Sequence, residues 1–509
     1  MSTMARTISA TIATPPAEAT GLRRRLLGLL AACAVLALFC LLPPFAGLPV
    51  AGQRALGILL FAVMLWVTEA VDYSVSAVLI VAAIILLIGF APDLADPAKT
   101  IGIPRARDWA IAGFANNSVA LVGAALVFAA AVTTTGLDRR IALAVLSRVG
   151  ADSRAVLAGT LLVGILLAFL VPSATARVSA VVPIVLGIIA AFGIPRESRF
   201  AALLMIASAQ ICSVMNIGVL TAAAQNATFL GLIDRQLHTT VTWAQWLVAA
   251  APFWLLMTPV LYVILWRCHP PEVPRIEGGR EMIARDLGAL GPMSGAEKRT
   301  LLAGITLLLL WATEGKLHPL DTASSTILAV AVLLLPGIGA LSWKQAQAAL
   351  PWGTLVLFAV GIALGTVLVQ TRGAPWLAGL IVDGFHLRLA TPFTIVAVMA
   401  AFLIVVHLGF ASATALSAAF IPIVIAVLQE VSRAGVPVNI AGLAMILQFA
   451  ISFGFLLVVN APQNMVVFGT GTFGGRDFTR SGIWITLAGY ALLLLLTATW
   501  WDWLGYVRS

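Results

Sequence analysis

The sequence predicts an all-α polytopic membrane protein made of two homologous halves. The hydrophobic fraction is 61% and the charged fraction 10%, the mean hydropathy is +1.04, and several motifs occur twice in the same order. Soluble domains average about 45–50% apolar and 25% charged residues, and each membrane helix needs about 20 apolar residues. The chain therefore has room for about eleven transmembrane helices plus two re-entrant hairpins, and for no soluble catalytic domain.

The first predicted span follows a polar segment, 1–25, that ends in three arginines. The apolar stretch 26–48 is too long for the core of a signal peptide, so we expect an uncleaved first helix. The positive-inside rule places residues 1–25 in the cytoplasm and the chain in the inner (plasma) membrane as a multi-pass protein. We attribute the net charge of +9 to this topology and to anionic lipid, not to nucleic acid.

Further apolar segments fall into two blocks. The first repeat, 26–266, continues with segments at 55–71, 74–91, 118–135, 156–172, 176–192, 200–219 and 243–266. Residues 267–299 form the most charged stretch and are predicted to be a solvated linker. The second repeat, 300–509, contains segments at 300–314, 324–341, 353–370, 392–408, 415–430, 440–459 and 481–501.

Three motifs support a duplication. LWVTE at 65–69 recurs as LWATE at 310–314, SATA at 173–176 recurs as SATA at 412–415, and QN at 225–226 recurs as QN at 463–464. The offsets are 245, 239 and 238 residues, and this constancy indicates repeats and not chance similarity of apolar sequence. An odd number of crossings per repeat would place the halves in opposite orientations, as in many secondary transporters.

The SATA motifs lie between apolar segments that are short for full spans, which predicts hairpins at about 156–192 and 392–430. Unpaired backbone groups at the tips, with the hydroxyls of Ser173, Thr175, Ser412 and Thr414, would replace the hydration shell of an anion at helix N-termini. The alternative is that these hydroxyls bond back within continuous helices, but the duplication favours hairpins. The amides at 221–226 and 460–464 predict two unwound helix breaks, with a packing kink at Pro462 as the alternative.

Four ionisable residues in apolar segments require an interpretation. Arg177 is our leading candidate for pairing with substrate charge, weighed evenly against snorkelling or pairing with Glu69. For Glu69 and Glu314 we favour roles at helix ends over proton coupling. For His407 we favour a satisfied core histidine over a proton relay. The four cysteines show no metal spacing, so we predict no metal site.

The residues that carry a family resemblance are LWVTEA at 65–70, the stretch 114–136, both hairpin motifs, PQN at 462–464 and FGTG at 468–471. In these the chain resembles the divalent anion:sodium symporter family of dicarboxylate, citrate and sulfate carriers, over about residues 66–471. PSATAR at 172–177 looks most like the citrate and dicarboxylate exchangers. The resemblance implies a homodimer, substrate contacts from both hairpin tips, and ion sites at matching positions: Ser173, Ala174 and Asn226 in the first half and Ser412, Ala413 and Asn464 in the second.

The chain departs from the family pattern at both tips, where Ala174 and Ala413 stand in place of asparagine. Each change removes one hydrogen-bond donor and one acceptor. Asn216 and Asn460 are candidate compensating amides.

We therefore predict a secondary active transporter for a small di- or tricarboxylate or similar divalent anion. It would work by alternating access as an exchanger or a sodium-coupled symporter, with proton coupling ranked third, and we expect no cofactor apart from a possible sodium coupling ion. The alternative is a transporter-derived membrane sensor without transport. Catalytic and phosphate-binding motifs are lacking, so we do not expect an enzyme or an ATP-driven pump.

Overall fold

The computed structural model describes residues 16–149, 152–191, 193–272 and 279–508. Within these ranges the chain forms helices joined by short connections, and β-structure is limited to two isolated bridges. Nine of the described helices are long and apolar enough to cross a bilayer, and five shorter apolar helices of 10–17 residues accompany them. This confirms the predicted all-α membrane fold.

Before the linker, the first helix ends at Leu41 and not at the predicted 48, because Pro43 and Pro44 follow it and cannot continue a helix. The helices are α1 (Pro16–Leu41), α2 (Val50–Thr68), α3 (Tyr73–Ala83, continued by a π-helix over Ile84–Ile88), α4 (Ile103–Ile111), α5 (Asn117–Thr135), α6 (Leu137–Leu146), α7 (Ser153–Leu170), α8 (Ala174–Ala191), α9 (Arg199–Gly218), α10 (Ala224–Leu237) and α11 (Trp243–Cys268).

After α11, one helix lies in the predicted linker, the next ten repeat the order of α2 to α11, and a short helix of four residues follows them. The helices are α12 (Gly279–Ala289), α13 (Gly295–Thr313), α14 (Thr322–Leu334), α15 (Trp343–Ala349), α16 (Trp352–Gln370), α17 (Gly373–Gly384), α18 (Pro392–His407), α19 (Ala413–Arg433), α20 (Ile440–Ile451), α21 (Pro462–Phe468), α22 (Gly475–Ala498) and α23 (Trp500–Trp503). Helices α13 to α22 thus correspond one by one to α2 to α11.

Two helix pairs and two interrupted helices build the centre. Hairpin 1 consists of α7 and α8 with its tip at 171–173, and hairpin 2 consists of α18 and α19 with its tip at 408–412. Break 1, at 219–223, separates α9 from α10, and break 2, at 452–461, separates α20 from α21. A short 3₁₀ turn lies in each break. Both predicted hairpins are present. Both breaks are present too, but they begin earlier than the predicted 221 and 460, and the QN pairs lie in the helices α10 and α21 that follow them.

The two halves interlock around a pseudo-twofold axis. Helix α5 packs against α14 as α16 packs against α3, and α8 packs against α21 as α19 packs against α10. Each of these contacts joins one helix of the first half to one of the second. The apolar core is therefore shared between the halves.

The ends of the helices show which connections lie on the same side. Arg140 Nε, in α6, lies 2.6 Å from Glu297 Oε1 at the start of α13. The backbone N–H of Arg199, at the start of α9, donates to Glu272 Oε1 after α11 at 2.8 Å. These connections share the side of the linker, which we call the linker side, and hairpin 1 enters from it.

Other connections meet on the opposite side. Trp376 Nε1, in α17, donates to the Ala46 carbonyl between α1 and α2 at 3.0 Å, and Asn439 Nδ2, before α20, donates to the Gly505 carbonyl at 2.8 Å. Each half then crosses five times, counted from α2 and from α13, because hairpins return to their own side. Helix α1 is an additional span that has no counterpart after the linker. Since five is odd, the second half begins on the side opposite to the first, and the repeats are inverted.

Candidate functional site

Both hairpin tips and both breaks surround one cavity of about 410 Å³. The predicted site residues that line it are Ser173, Ala174 and Thr175 from hairpin 1 and Ser412, Ala413 and Thr414 from hairpin 2. Arg177, Asn226 and Asn464 are not among the lining residues. The structure therefore brings together six of the predicted residues and places three behind the cavity wall.

The two tip serines begin the second limb of each hairpin in the same way. Ser173 Oγ accepts a hydrogen bond from the Ala176 N–H at 3.3 Å, and Ser412 Oγ accepts one from the Ala415 N–H at 3.3 Å. A serine in this position caps the helix by satisfying one of its free N–H groups. Each hydroxyl accepts through a lone pair and keeps its proton to donate.

Three long helices begin at the cavity. The lining includes Ala174, Ala224 and Ala413, the first residues of α8, α10 and α19, which are 18, 14 and 21 residues long. The start of a helix carries free N–H groups and about half a positive charge. Among the described residues that line the cavity there is no Asp, Glu, Lys or Arg. Backbone dipoles at the wall, together with the charge of Arg177 behind it, which lies 2.6 Å from the lining residue Asn216, form an arrangement suited to an anion.

The asparagines Asn226 and Asn464 hold the two breaks open in equivalent ways. Asn226 Nδ2 donates to the Asn216 carbonyl at 2.7 Å, and Asn464 Nδ2 donates to the Gly454 carbonyl at 2.9 Å. Both side chains are buried, and their Oδ1 atoms have no hydrogen-bond partner among the described residues. Each amide satisfies carbonyls that the interrupted helix leaves unpaired, as a membrane interior requires.

Arg177 does not lie where a ligand in this cavity would contact it. Its side chain is 0% exposed. Nη1 donates to the carbonyls of Val171 at 2.9 Å and Ala222 at 3.0 Å. Nη2 donates to the Cys212 carbonyl at 3.3 Å and to Asn216 Oδ1 at 2.6 Å. The guanidinium thus ties the tip of hairpin 1 to break 1.

The alternatives considered for Arg177 are also not observed. A snorkelling arginine would be exposed, and the proposed partner Glu69 is an exposed residue at the end of α2. The ion pairs of the described residues do not include Arg177. The physical reason is that a tip and a break leave several carbonyls free at one point, and a guanidinium offers five donors in a fixed fork.

In the second half, two residues replace this arginine. Asn460 Nδ2 donates to the carbonyls of His407 at 2.7 Å and Phe410 at 3.3 Å, and His407 Nε2 lies 3.2 Å from the Asn460 carbonyl. A carbonyl only accepts, so Nε2 carries the proton. Phe410 and Asn460 correspond to Val171 and Ala222 at the repeat offsets of 239 and 238. The same two carbonyls are therefore satisfied in both halves, by different side chains.

The remaining predicted residues occupy structural positions. Glu314 Oε2 accepts a hydrogen bond from Thr322 Oγ1 at 2.6 Å, and neither Glu69 nor Glu314 lines the cavity.

Of the two candidate compensating amides, Asn216 lines the cavity and Asn460 does not. Sequence reasoning missed Tyr73, Gln225 and Gln463 as lining residues; the repeated QN motif was the available signal for the two glutamines.

Comparison with known proteins agrees with this architecture. The family model described as the sodium:sulfate symporter transmembrane region matches residues 23–507. A Cupriavidus necator protein named "Membrane protein" is 50% identical over 94% of this chain and 93% of its own length. The L-tartrate/succinate antiporter of Escherichia coli K12 is 27% identical over 94% of this chain and 98% of its own length.

A solved structure shows the same fold. The YdaH transporter of Alcanivorax borkumensis superposes with a TM-score of 0.55 at 14% identity and covers 86% of this chain and 99% of that one. The family model extends over the hairpins, both breaks and the cavity between them. This chain belongs to the sodium:sulfate symporter family, also called the divalent anion:sodium symporter family, and is a multi-pass membrane protein of the transporter type.

Proposed function

We propose that this chain carries a small di- or tricarboxylate, or a similar divalent anion, across the inner membrane by alternating access, as an exchanger or a sodium-coupled symporter. The observation that carries the proposal is the cavity between the tips, where three long helices begin and the described lining residues include no Asp, Glu, Lys or Arg. Backbone N–H groups and hydroxyls there replace the hydration shell of an anion. Because no lysine or arginine binds it permanently, the anion is also able to leave.

The orientation follows from the charges of the connections. Roughly two thirds of the 30 Lys and Arg residues lie in the N-terminal segment or in connections on the linker side, and the positive-inside rule makes that side cytoplasmic. Hairpin 1 then enters from the cytoplasm and hairpin 2 from outside. The N-terminus is cytoplasmic in this arrangement.

Exchange and sodium coupling each have support. The relatives named as L-tartrate/succinate antiporters support exchange. The buried Oδ1 atoms of Asn226 and Asn464, unpaired among the described residues, are oxygen acceptors of the kind that coordinate a hard cation, and this supports sodium. Proton coupling would fall on Tyr73 or His407, which are the titratable side chains in the described lining.

The test is transport by the purified full-length chain in liposomes. Liposomes loaded with succinate, citrate or sulfate, or left empty, receive labelled succinate, citrate or sulfate with sodium or potassium outside. Uptake that needs internal anion and not sodium identifies an exchanger, and uptake into empty liposomes that follows sodium identifies a symporter. Ser173→Ala and Ser412→Ala should lower uptake in either case. Absence of uptake across the whole panel would refute the proposal and favour a sensor.

A further inference from the structure

Two glutamines occupy equivalent positions in the cavity wall. Gln225 and Gln463 are the second residues of α10 and α21, they are related by the repeat offset of 238, and both line the cavity. They are 5% and 4% exposed, so each carboxamide is held in the wall and does not extend freely into the cavity.

Each glutamine is held by a serine of the other half. Gln225 Nε2 donates to Ser452 Oγ at 3.3 Å, and Gln463 Nε2 donates to Ser213 Oγ at 3.2 Å. The serines are themselves related by the offset of 239. This reciprocal pair of bonds follows the pseudo-twofold axis and fixes one carboxamide on each side of it.

The glutamines retain hydrogen-bonding capacity for a ligand. A carboxamide has two N–H groups, and the serine takes one of them in each case. Both residues line the cavity, and the bonds to the serines leave the second N–H of each carboxamide without a partner among the described residues. That N–H group is therefore free to donate to a ligand in the cavity.

The backbone beneath Gln225 is also fixed. Its carbonyl accepts from Gln448 Nε2 at 3.1 Å and from Ser417 Oγ at 3.3 Å. A donor whose position is set before the ligand arrives loses little conformational entropy on binding. Such donors contribute to discrimination between ligands as well as to affinity.

We propose that Gln225 and Gln463 are the residues that determine substrate specificity, each donating a hydrogen bond to one end of a short dicarboxylate that lies across the pseudo-twofold axis. The inference rests on the proposed anion transport and adds the residues that would select a dicarboxylate over a monocarboxylate. Two equivalent donors fit a ligand with two equivalent acceptor ends, such as succinate. A monocarboxylate of equal length, such as butyrate, fills one of the two positions.

The experiment replaces each glutamine by methionine, which keeps the shape and removes the donor. Succinate exchange by the reconstituted full-length chain gives KM, and competition by butyrate and succinate gives the ratio of their inhibitory concentrations. Loss of a hydrogen bond to a charged group corresponds to about a ten- to hundred-fold weaker interaction. Gln225→Met and Gln463→Met should each raise the KM for succinate by about that factor. The ratio of the inhibitory concentration of butyrate to that of succinate should fall by about the same factor, because butyrate can still bind at the remaining glutamine.

Gln210→Met is the matched control. Gln210 is 0% exposed, its Nε2 donates across the halves to the Phe455 carbonyl at 2.9 Å, and it does not line the cavity. This variant should lower thermal stability and leave the inhibition ratio unchanged. If a methionine variant fails to fold, Ser452→Ala and Ser213→Ala release the same carboxamides and should lower the ratio by a smaller factor.

The outcomes separate the two proposals. Suppose that the wild-type protein exchanges succinate and that the folded glutamine and serine variants keep the wild-type ratio of inhibitory concentrations. This result would overturn the specificity role alone. An equal change of the ratio in Gln210→Met would also overturn it, because the effect would then come from packing. Failure of the wild-type protein to transport any anion would instead contradict the proposed function.

Discussion

Arg177 Nη2 lies 2.6 Å from Asn216 Oδ1, and both side chains are buried between hairpin 1 and break 1. The amide of Asn216 also lines the cavity. Because its oxygen is held by the guanidinium, its N–H₂ group is the part left for a ligand. The arginine is therefore connected to the cavity through a neighbouring residue and does not line it.

Replacing Arg177 with lysine should destabilise the protein before it changes substrate affinity. An ammonium has three donors without the planar fork, and each lost bond to a charged group costs about 1.5–3 kcal/mol. Thermal unfolding in detergent measures the loss, with the exposed Arg199→Lys as control. Unchanged stability together with a raised KM would instead support direct contact between Arg177 and the substrate.

The imidazole of His407 should be replaceable by another donor but not by an apolar ring. Gln retains an N–H for the Asn460 carbonyl, whereas Phe leaves this buried acceptor unpaired at a cost of about 1–3 kcal/mol. We expect His407→Gln to keep most of its stability and His407→Phe to lose it, measured by thermal unfolding. Equal stability of the two variants would show that the bond at 3.2 Å contributes little.

The two break asparagines should respond alike to the loss of their donor. Asn226→Asp and Asn464→Asp keep the side-chain shape but remove the N–H₂ group that satisfies carbonyls in each break. Each should reduce stability by at least about 1–3 kcal/mol, the cost of an unpaired buried group, and abolish transport. A large difference between the two variants would contradict the equivalence of the breaks.

Close packing between α16 and α19 should make one glycine indispensable. A Cβ on Gly361 would overlap the Ala418 Cβ of hairpin 2, whereas a Cβ on Gly379 would meet nothing within 4 Å. Gly361→Val should cost about 1–3 kcal/mol through overpacking and slow transport, and Gly379→Val serves as the control. Equal melting temperatures would indicate that hairpin 2 adjusts freely.

Stability should depend on pH through Glu272, which lies outside the spans. Partial burial raises its pKa, but hydrogen bonds from Arg199 and Phe200 outweigh this and hold the pKa below its ordinary 4.5. A carboxyl group whose pKa is lowered in the folded state stabilises the protein at pH values above its ordinary pKa. This stabilisation disappears as the pH falls through the folded-state pKa. Thermal unfolding at pH values above and below 4.5 should show a smaller pH dependence for Glu272→Gln than for wild type. The exposed Glu281→Gln is the control, and equal pH profiles for all three proteins would refute the role.

The hairpins and breaks were predictable because their signals are local. Short apolar segments, a repeated SATA motif and amides within apolar sequence each follow from the lack of water in a bilayer. The opposite orientation of the two repeats could not be predicted in this way. It depends on the number of membrane crossings in each repeat, and that number depends on which short helices join across a break to form one crossing. The structure supplied that number through contacts such as Trp376 with Ala46.

The sequence by itself determined that the chain is a membrane protein with two repeats, and it identified the tips that line the cavity. Only the tertiary structure decided that Arg177 serves the backbone, that His407 and Asn460 replace it in the other half, and that Gln225 and Gln463 are held by Ser452 and Ser213. Apart from the bond of Arg177 to the Val171 carbonyl, which is six positions away, these bonds join residues 35 to 250 positions apart. Polarity and apolar length are properties of a segment, whereas the partner of a buried polar group depends on how the segments pack.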